Sequence, residues 1–152
     1  MFCERANFGV SMTNESPRYI FELEMKVRDY EIDSQGIVNN ANYLHYLEHT
    51  RHEFCEQFGI SFCQMQQQGI DPVVNHIDIS YLTPLRLAEK FRSCLWLERR
   101  GPRFVFHQDI YNSRGAKVVA AKVSVVELDH GTLTRGDTLA SIFASALDST
   151  GL

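Results

Sequence analysis

One stretch patterned as a helix, residues 40–58, sits in a chain whose other apolar runs mostly read as strands. That asymmetry limits the possible folds more than any other feature. Leu44, Leu47, Arg51, Phe54, Cys55 and Phe58 recur at the spacing of one helix face. Asn39 or Asn40 offers an N-cap and Gly59 a C-terminal stop. Upstream, Phe21, Leu23, Met25 and Val27 alternate with charged residues, the period of a half-buried strand. Downstream, a short helical piece over 61–68 stops at Gly69, and four strand-like runs follow over 72–82, 89–98, 103–111 and 116–128. The first of these places Val73, Ile77, Ile79 and Tyr81 on one face. The last is apolar on both faces, which suits an interior strand. Asp137 is placed to cap a closing helix over 138–147. Strand, long helix, then four strands with short connections predict an α+β domain in which one helix covers an antiparallel sheet.

The length of 152 residues fits one domain with a real core, assigned to residues 19–148. Residues 1–18 lack apolar periodicity and are expected to form a poorly ordered extension. A net charge of −4 disfavours broad binding to nucleic acid or anionic membranes. No run approaches the roughly 18–20 apolar residues of a membrane span, and the first residues lack a hydrophobic signal core. Cys3, Cys55, Cys63 and Cys94 show no C-x-x-C spacing, so reduced thiols in a cytoplasmic protein are expected. A sheet of this kind has two open edges, and pairing of two copies is a natural way to close one.

The chemistry concentrates just ahead of the long helix. Asp33 precedes Gly36 by three residues; Ile37, Val38 and the polar run Asn39-Asn40-Ala41-Asn42 follow. Gly36 lets the backbone turn, and the first amides of the helix are free to meet an anion. A carboxylate at this spacing is a candidate base or nucleophile beside an oxyanion site. The plain alternative is an aspartate bonding backbone amides in a turn. Asp29 and Glu31 lie close by, either as solvated charges or as groups acting on Asp33 by like-charge repulsion.

The pattern D-x-x-G-[IV]-V, a polar pair, then N-Y opening a helix resembles the 4-hydroxybenzoyl-CoA thioesterase family of hotdog-fold enzymes. The form here, DSQGIVNNANY leading to HTRHEF, is most similar to the branch acting on acyl-CoA, acyl carrier protein and acyl-lipid thioesters. The resemblance implies a hotdog fold, an antiparallel sheet wrapped around one long helix. It also implies hydrolysis of an acyl-CoA or acyl carrier protein thioester by a homodimer or homotetramer, with the active site where subunits meet. By the match, Asp33 is the catalytic carboxylate and the backbone amide of Asn40 the carbonyl-polarising donor. Asn39, Asn42 and Tyr43 join the substrate-binding set; Asn39 and Asn42 serve equally well as cap and turn residues. Where relatives often carry a histidine or aromatic residue, Asn40 has a carboxamide that cannot titrate. Arg99, Arg100 and Arg103 cluster around a turn and are candidates for the phosphates of CoA or an acidic carrier protein. The same arginines also read as strand-end charges that keep a turn soluble. No metal or redox cofactor is required by this chemistry.

Other readings of the same residues compete. His45-Tyr46-Leu47-Glu48-His49 matches H-x-x-E-H, a zinc-protease pattern, yet its histidines fall away from the apolar stripe and no third ligand helix follows. A hydratase of the same fold would need a histidine and acid pair where this chain has asparagines. A non-catalytic hotdog that binds acyl groups or a partner shares every fold feature. His76 and His107 lie on strands without an assigned role. Phe54, Phe58, Phe62 and Met65 read either as an acyl tunnel or as core.

Overall fold

The computed structural model describes residues 19–150, so the extension expected over 1–18 lies outside the described residues. Strand β1 (Phe21–Lys26) leads through a single 3₁₀ turn (Asp29–Glu31) to the long helix α1 (Asn40–Gln57). A short helix α2 (Phe62–Gln67) precedes β2 (Ile70–Tyr81), β3 (Lys90–Arg100), β4 (Arg103–Asn112), β5 (Lys117–Asp129) and β6 (Thr132–Leu133). Two short helices, α3 (Asp137–Ile142) and α4 (Ala144–Ser149), close the described chain. The sheet has the order β1-β3-β4-β5-β2, with β6 beside β5, and every pairing is antiparallel.

Helix α1 packs on one face of this sheet. Its buried side is Tyr43, Tyr46, Leu47, Thr50, Phe54 and Cys55. The sequence stripe included Leu44, which the structure leaves 38% exposed. Two tyrosines set the helix phase in its place. Their rings contribute apolar bulk comparable to Phe, while each hydroxyl still needs a partner. Mid-helix, Thr50 Oγ1 donates to Ser93 Oγ on β3 at 2.8 Å, so a polar pair crosses the helix–sheet interface.

Strand β5 is interior, between β4 and β2, and Val118, Val119, Val123, Val125 and Val126 are buried on its two faces. Strand β2 corrects one expected facing. Its pairing with β5 shifts between Val74 and His76, a β-bulge at Asn75. Val74, Ile77, Ile79 and Tyr81 pair opposite residues of one β5 face, whereas Val73 pairs opposite Val126 on the other. An inserted residue reverses the alternation, so Val73 is not on the face of Ile77.

The closing helix is also broken. Phe143 (φ −88°, ψ 6°) interrupts it and buries its ring. Asp137 is the first helical residue and not the cap; Gly136 holds that position at φ 80°. A side chain at Gly136 would come within 2.9 Å of the Phe104 ring.

Candidate active site

Past β1, the Val27 amide is tied to Glu89 O and the chain enters the 3₁₀ turn. Glu31 is buried there, and its carboxylate accepts the Arg28 amide at 2.6 Å. Ile32 then bridges Val38, so residues 33–37 form a tight loop. Asp33 N–H donates to Ile37 O at 2.9 Å, and Gly36 N–H to Asp33 O at 3.1 Å. Gly36 takes φ 75°, and a Cβ there would meet nothing within 4 Å; conformation and not space calls for glycine. The Asp33 Oδ1 atom accepts the Gln35 amide at 2.8 Å, a local turn bond of the type aspartate favours. Oδ2 has no hydrogen-bond partner among the described residues.

Asn39 caps the helix, its Oδ1 accepting Ala41 N–H at 3.0 Å. The carbonyl of Glu31 receives both Asn39 N–H at 3.0 Å and Asn42 Nδ2 at 2.9 Å, which ties the helix start to the end of the 3₁₀ turn. These bonds leave the Asn40 amide without an acceptor among the described residues, as expected of a first-turn donor. Tyr43 supports the arrangement from below. Its hydroxyl accepts Leu85 N–H at 3.1 Å, while Leu85 O accepts Val38 N–H at 2.9 Å. Burial pushes the Tyr43 hydroxyl pKa up, partly countered by that amide bond. Tyr81, at the end of β2, sets its ring 5.5 Å from Tyr43 and donates to Asn40 O at 3.2 Å.

These elements enclose a cavity of about 390 Å³. Asp33 and Asn40 form its polar side; Ile37, Tyr43, Tyr81 and Pro84 contribute apolar surface. Both residues expected to be catalytic therefore line one space. Asn39 and Asn42 are engaged in capping and in holding the loop. Glu31 is not the solvated charge that was one of its two readings: it is buried and bonded to the Arg28 amide. The Tyr46 hydroxyl lies beside it, buried and outside hydrogen-bonding geometry with any described residue, although burial and the neighbouring Glu31 carboxylate push its pKa up. Tyr81 and Leu85 were missed because they are far along the chain from the motif and carry no spacing signal that links them to it.

The arginines are elsewhere in the subunit. Lys90, at the start of β3, pairs with Lys26 near the site, while Arg99 and Arg100 end the same strand. The 11 residues of β3 span roughly 33 Å at ~3.3 Å per residue. Arg99 is held by Asp137 Oδ1 at 2.9 Å and by the carbonyls of Gly101 and Arg135. Arg100 pairs with Glu98 at 2.9 Å. Arg103 is exposed and makes no ion pair among the described residues.

His45, His49 and His52 all face solvent; His49 and His52 approach Glu53 and Glu48 only at 3.9 and 4.0 Å. His107 lies on the sheet face away from α1, stacked on Trp96 at 3.7 Å and bonded to Glu98 at 2.8 Å. Burial lowers its pKa, and the Glu98 bond opposes that shift. Of the four aromatic and thioether candidates for an acyl tunnel, Phe54 and Met65 are core, Phe58 packs against it, and Phe62 is partly exposed.

Residues 27–146 match the model of the thioesterase-like superfamily. The chain belongs to that family. Among curated members, a chloroplastic acyl-acyl carrier protein thioesterase of Arabidopsis thaliana is 44% identical over 70 residues, 46% of this chain and 37% of the relative. The chain thus aligns with well under half of that plant relative's length. YneP of Bacillus subtilis, named for acyl-CoA thioesterase activity, is 32% identical over 112 residues, 73% of this chain and 81% of the relative. The fold is that of the hotdog thioesterases. A DHNA-CoA thioesterase structure from Staphylococcus aureus superposes with a TM-score of 0.75 at 22% identity, covering 86% of this chain and 89% of the other. No helix among the described residues is long and apolar enough to cross a membrane.

Proposed function

We propose that the protein hydrolyses acyl thioesters of CoA or acyl carrier protein, with Asp33 as general base or nucleophile and the Asn40 amide as oxyanion donor. The observation that carries this reading is the shared cavity of about 390 Å³, with the carboxylate and an acceptor-free helix-start amide on its wall. A thioester carbonyl oxygen seated on Asn40 N–H meets a fixed donor and the positive end of α1. Asp33 is held at Oδ1 by Gln35, which leaves Oδ2 for the reaction. As a base, that oxygen takes a proton from water as the water oxygen bonds to the acyl carbon. The carbon–sulfur bond then breaks, the proton passes to the leaving thiolate, and acid and thiol are released. As a nucleophile, Asp33 attacks the carbon itself and the carbon–sulfur bond breaks to expel the thiolate. Water then hydrolyses the resulting anhydride, which returns the Asp33 carboxylate, releases the acid and supplies the proton the thiolate takes up.

The working unit in this proposal is a homodimer joined at β2. Among the described residues that strand pairs only with β5 and leaves 12 residues of edge open, with Val73 and Val74 about two-fifths exposed. A long open edge of this kind calls for a partner. Antiparallel pairing of two β2 strands sets the Ile70 end of one copy beside the Tyr81 end of the other. Arg103 aligns with Val126 and thus with Val73, near the Ile70 end. A basic turn too far from its own Asp33 would in this way approach the site of its partner, where CoA phosphates need cations.

The test is turnover across a panel of acyl-CoA and acyl carrier protein esters of increasing length. Asp33→Ala should lower kcat by about 10²–10⁴-fold, the range of a lost general base, with the melting temperature little changed. A folded variant that keeps full turnover removes Asp33 from the mechanism. Ester binding without turnover in the native protein would make it a binding protein instead.

A further inference from the structure

A second cavity, of about 130 Å³, opens beside α1 further along the helix. Phe62, Val74 and Phe106 supply apolar wall, and Arg51 projects from α1 into the same lining. At 1.5 Å per residue, Arg51 lies roughly 16 Å along the axis from Asn40. Between the two cavities run the Ile77 and Ile79 side chains of β2, on the face shared by Val74 and Tyr81, with Ile77 left 38% exposed. An apolar strip therefore leads from the Asp33 site to Arg51.

Packing does not account for that arginine. Arg51 is partly buried, and burial lowers its pKa while the nearby Glu48 carboxylate opposes that shift. Buried charges are ordinarily paired, yet among the described residues Arg51 makes no ion pair. Nη1 donates to Gln108 Oε1 at 2.9 Å, and Gln108, fully buried, is pinned through Nε2 to Leu47 O at 3.0 Å. Glu48 and His52 stand at the rim, more than half exposed and facing each other at 4.0 Å. A guanidinium has five N–H donors. One meets a neutral amide, and the hydrogen bonds give the others no protein acceptor.

We infer that this chamber receives the far end of the acyl chain, and that Arg51 determines specificity by favouring a tail that ends in an oxygen acceptor over one that ends in methyl. The inference rests on the thioesterase reading above. A methyl end displaces solvent from the guanidinium and leaves it unmatched, whereas a hydroxyl, ketone or carboxylate oxygen fills its open donors. Sites built around a buried polar group reject the analogue that lacks the complement.

The experiment compares kcat/KM for CoA esters of matched length bearing plain, ω-hydroxy or ω-carboxy ends, in the native protein, Arg51→Met and Arg51→Lys. The native protein should prefer oxygenated ends by about 10–100-fold at the lengths that reach Arg51, as expected of hydrogen bonds to a charged group. Arg51→Met should erase the preference, chiefly through KM, and Arg51→Lys should restore part of it. A purely structural arginine would change all esters by one factor, and an unaltered ratio in Arg51→Met overturns the inference. Should Arg51→Met fail to fold, native melting curves decide: ω-hydroxy acids should stabilise more than plain acids of equal length, and equal shifts overturn it. Turnover of plain esters with no oxygen preference defeats this inference alone; no turnover of any ester defeats the thioesterase reading beneath it.

Discussion

Helix α1 passes through two apolar clusters that differ in their aromatics. Toward its C-terminus Phe54 packs against Phe21, Phe58, Phe106 and Phe143 at 4.8–6.5 Å, with no polar atom on any ring. Near its N-terminus the rings are Tyr43, Tyr46 and Tyr81 with Phe91. The first cluster holds the helix to the sheet through ring packing alone, and Phe106 also backs the smaller cavity. The second also fixes backbone, because the Tyr43 hydroxyl anchors Leu85, and Leu85 anchors Val38 beside the Asp33 loop. Packing and the geometry of the Asp33 loop are thus weighted toward opposite ends of one helix, and the cluster nearer Asp33 retains a hydroxyl on Tyr46 that is unpartnered among the described residues.

Three substitutions sharpen this division. Phe54→Ala removes a ring with no exposure and should cost about 3–5 kcal/mol in denaturant melts, while kcat per folded molecule holds. Tyr43→Phe keeps the ring but strands the buried Leu85 amide. A loss of about 1–3 kcal/mol is expected, with kcat falling as well because the Val38 segment loosens. If kcat holds in that variant, the hydroxyl serves stability only and the division fails. Tyr46→Phe is the same change three residues later with a different expected sign. Deleting an unpartnered hydroxyl removes a desolvated group, so stability should stay within about 0.5 kcal/mol or rise. A larger loss would show that Tyr46 does bond Glu31 in solution.

Much of the fold was legible because its elements announce themselves locally. The alternation before residue 27, the asparagine cap and Gly59 bracket β1 and α1 closely. The Asp33 loop was legible as a motif, since a glycine at positive φ and a capped helix start leave marks at fixed spacing. What escaped is set by distant partners. Leu44 carried the hydrophobic label, but Tyr43 and Tyr46 had facing rings to meet and turned the helix their way. The break at Phe143 follows from burial among Phe54, Phe104 and Phe106, which a short window of sequence does not contain. The far wall of the site, Tyr81 to Pro84, arrives from the end of β2 by sheet topology alone.

The bulge at Asn75 gives β2 two separate phases joined by one irregular residue. Ahead of it, Val74 faces the chamber near Arg51; after it, Tyr81 faces the cavity of Asp33. The walls of the two cavities are thus supplied by parts of one strand whose facing is independently adjustable. A lineage could lengthen, shorten or re-aim the distal wall by sliding that single irregularity, and leave the Asp33 cavity untouched.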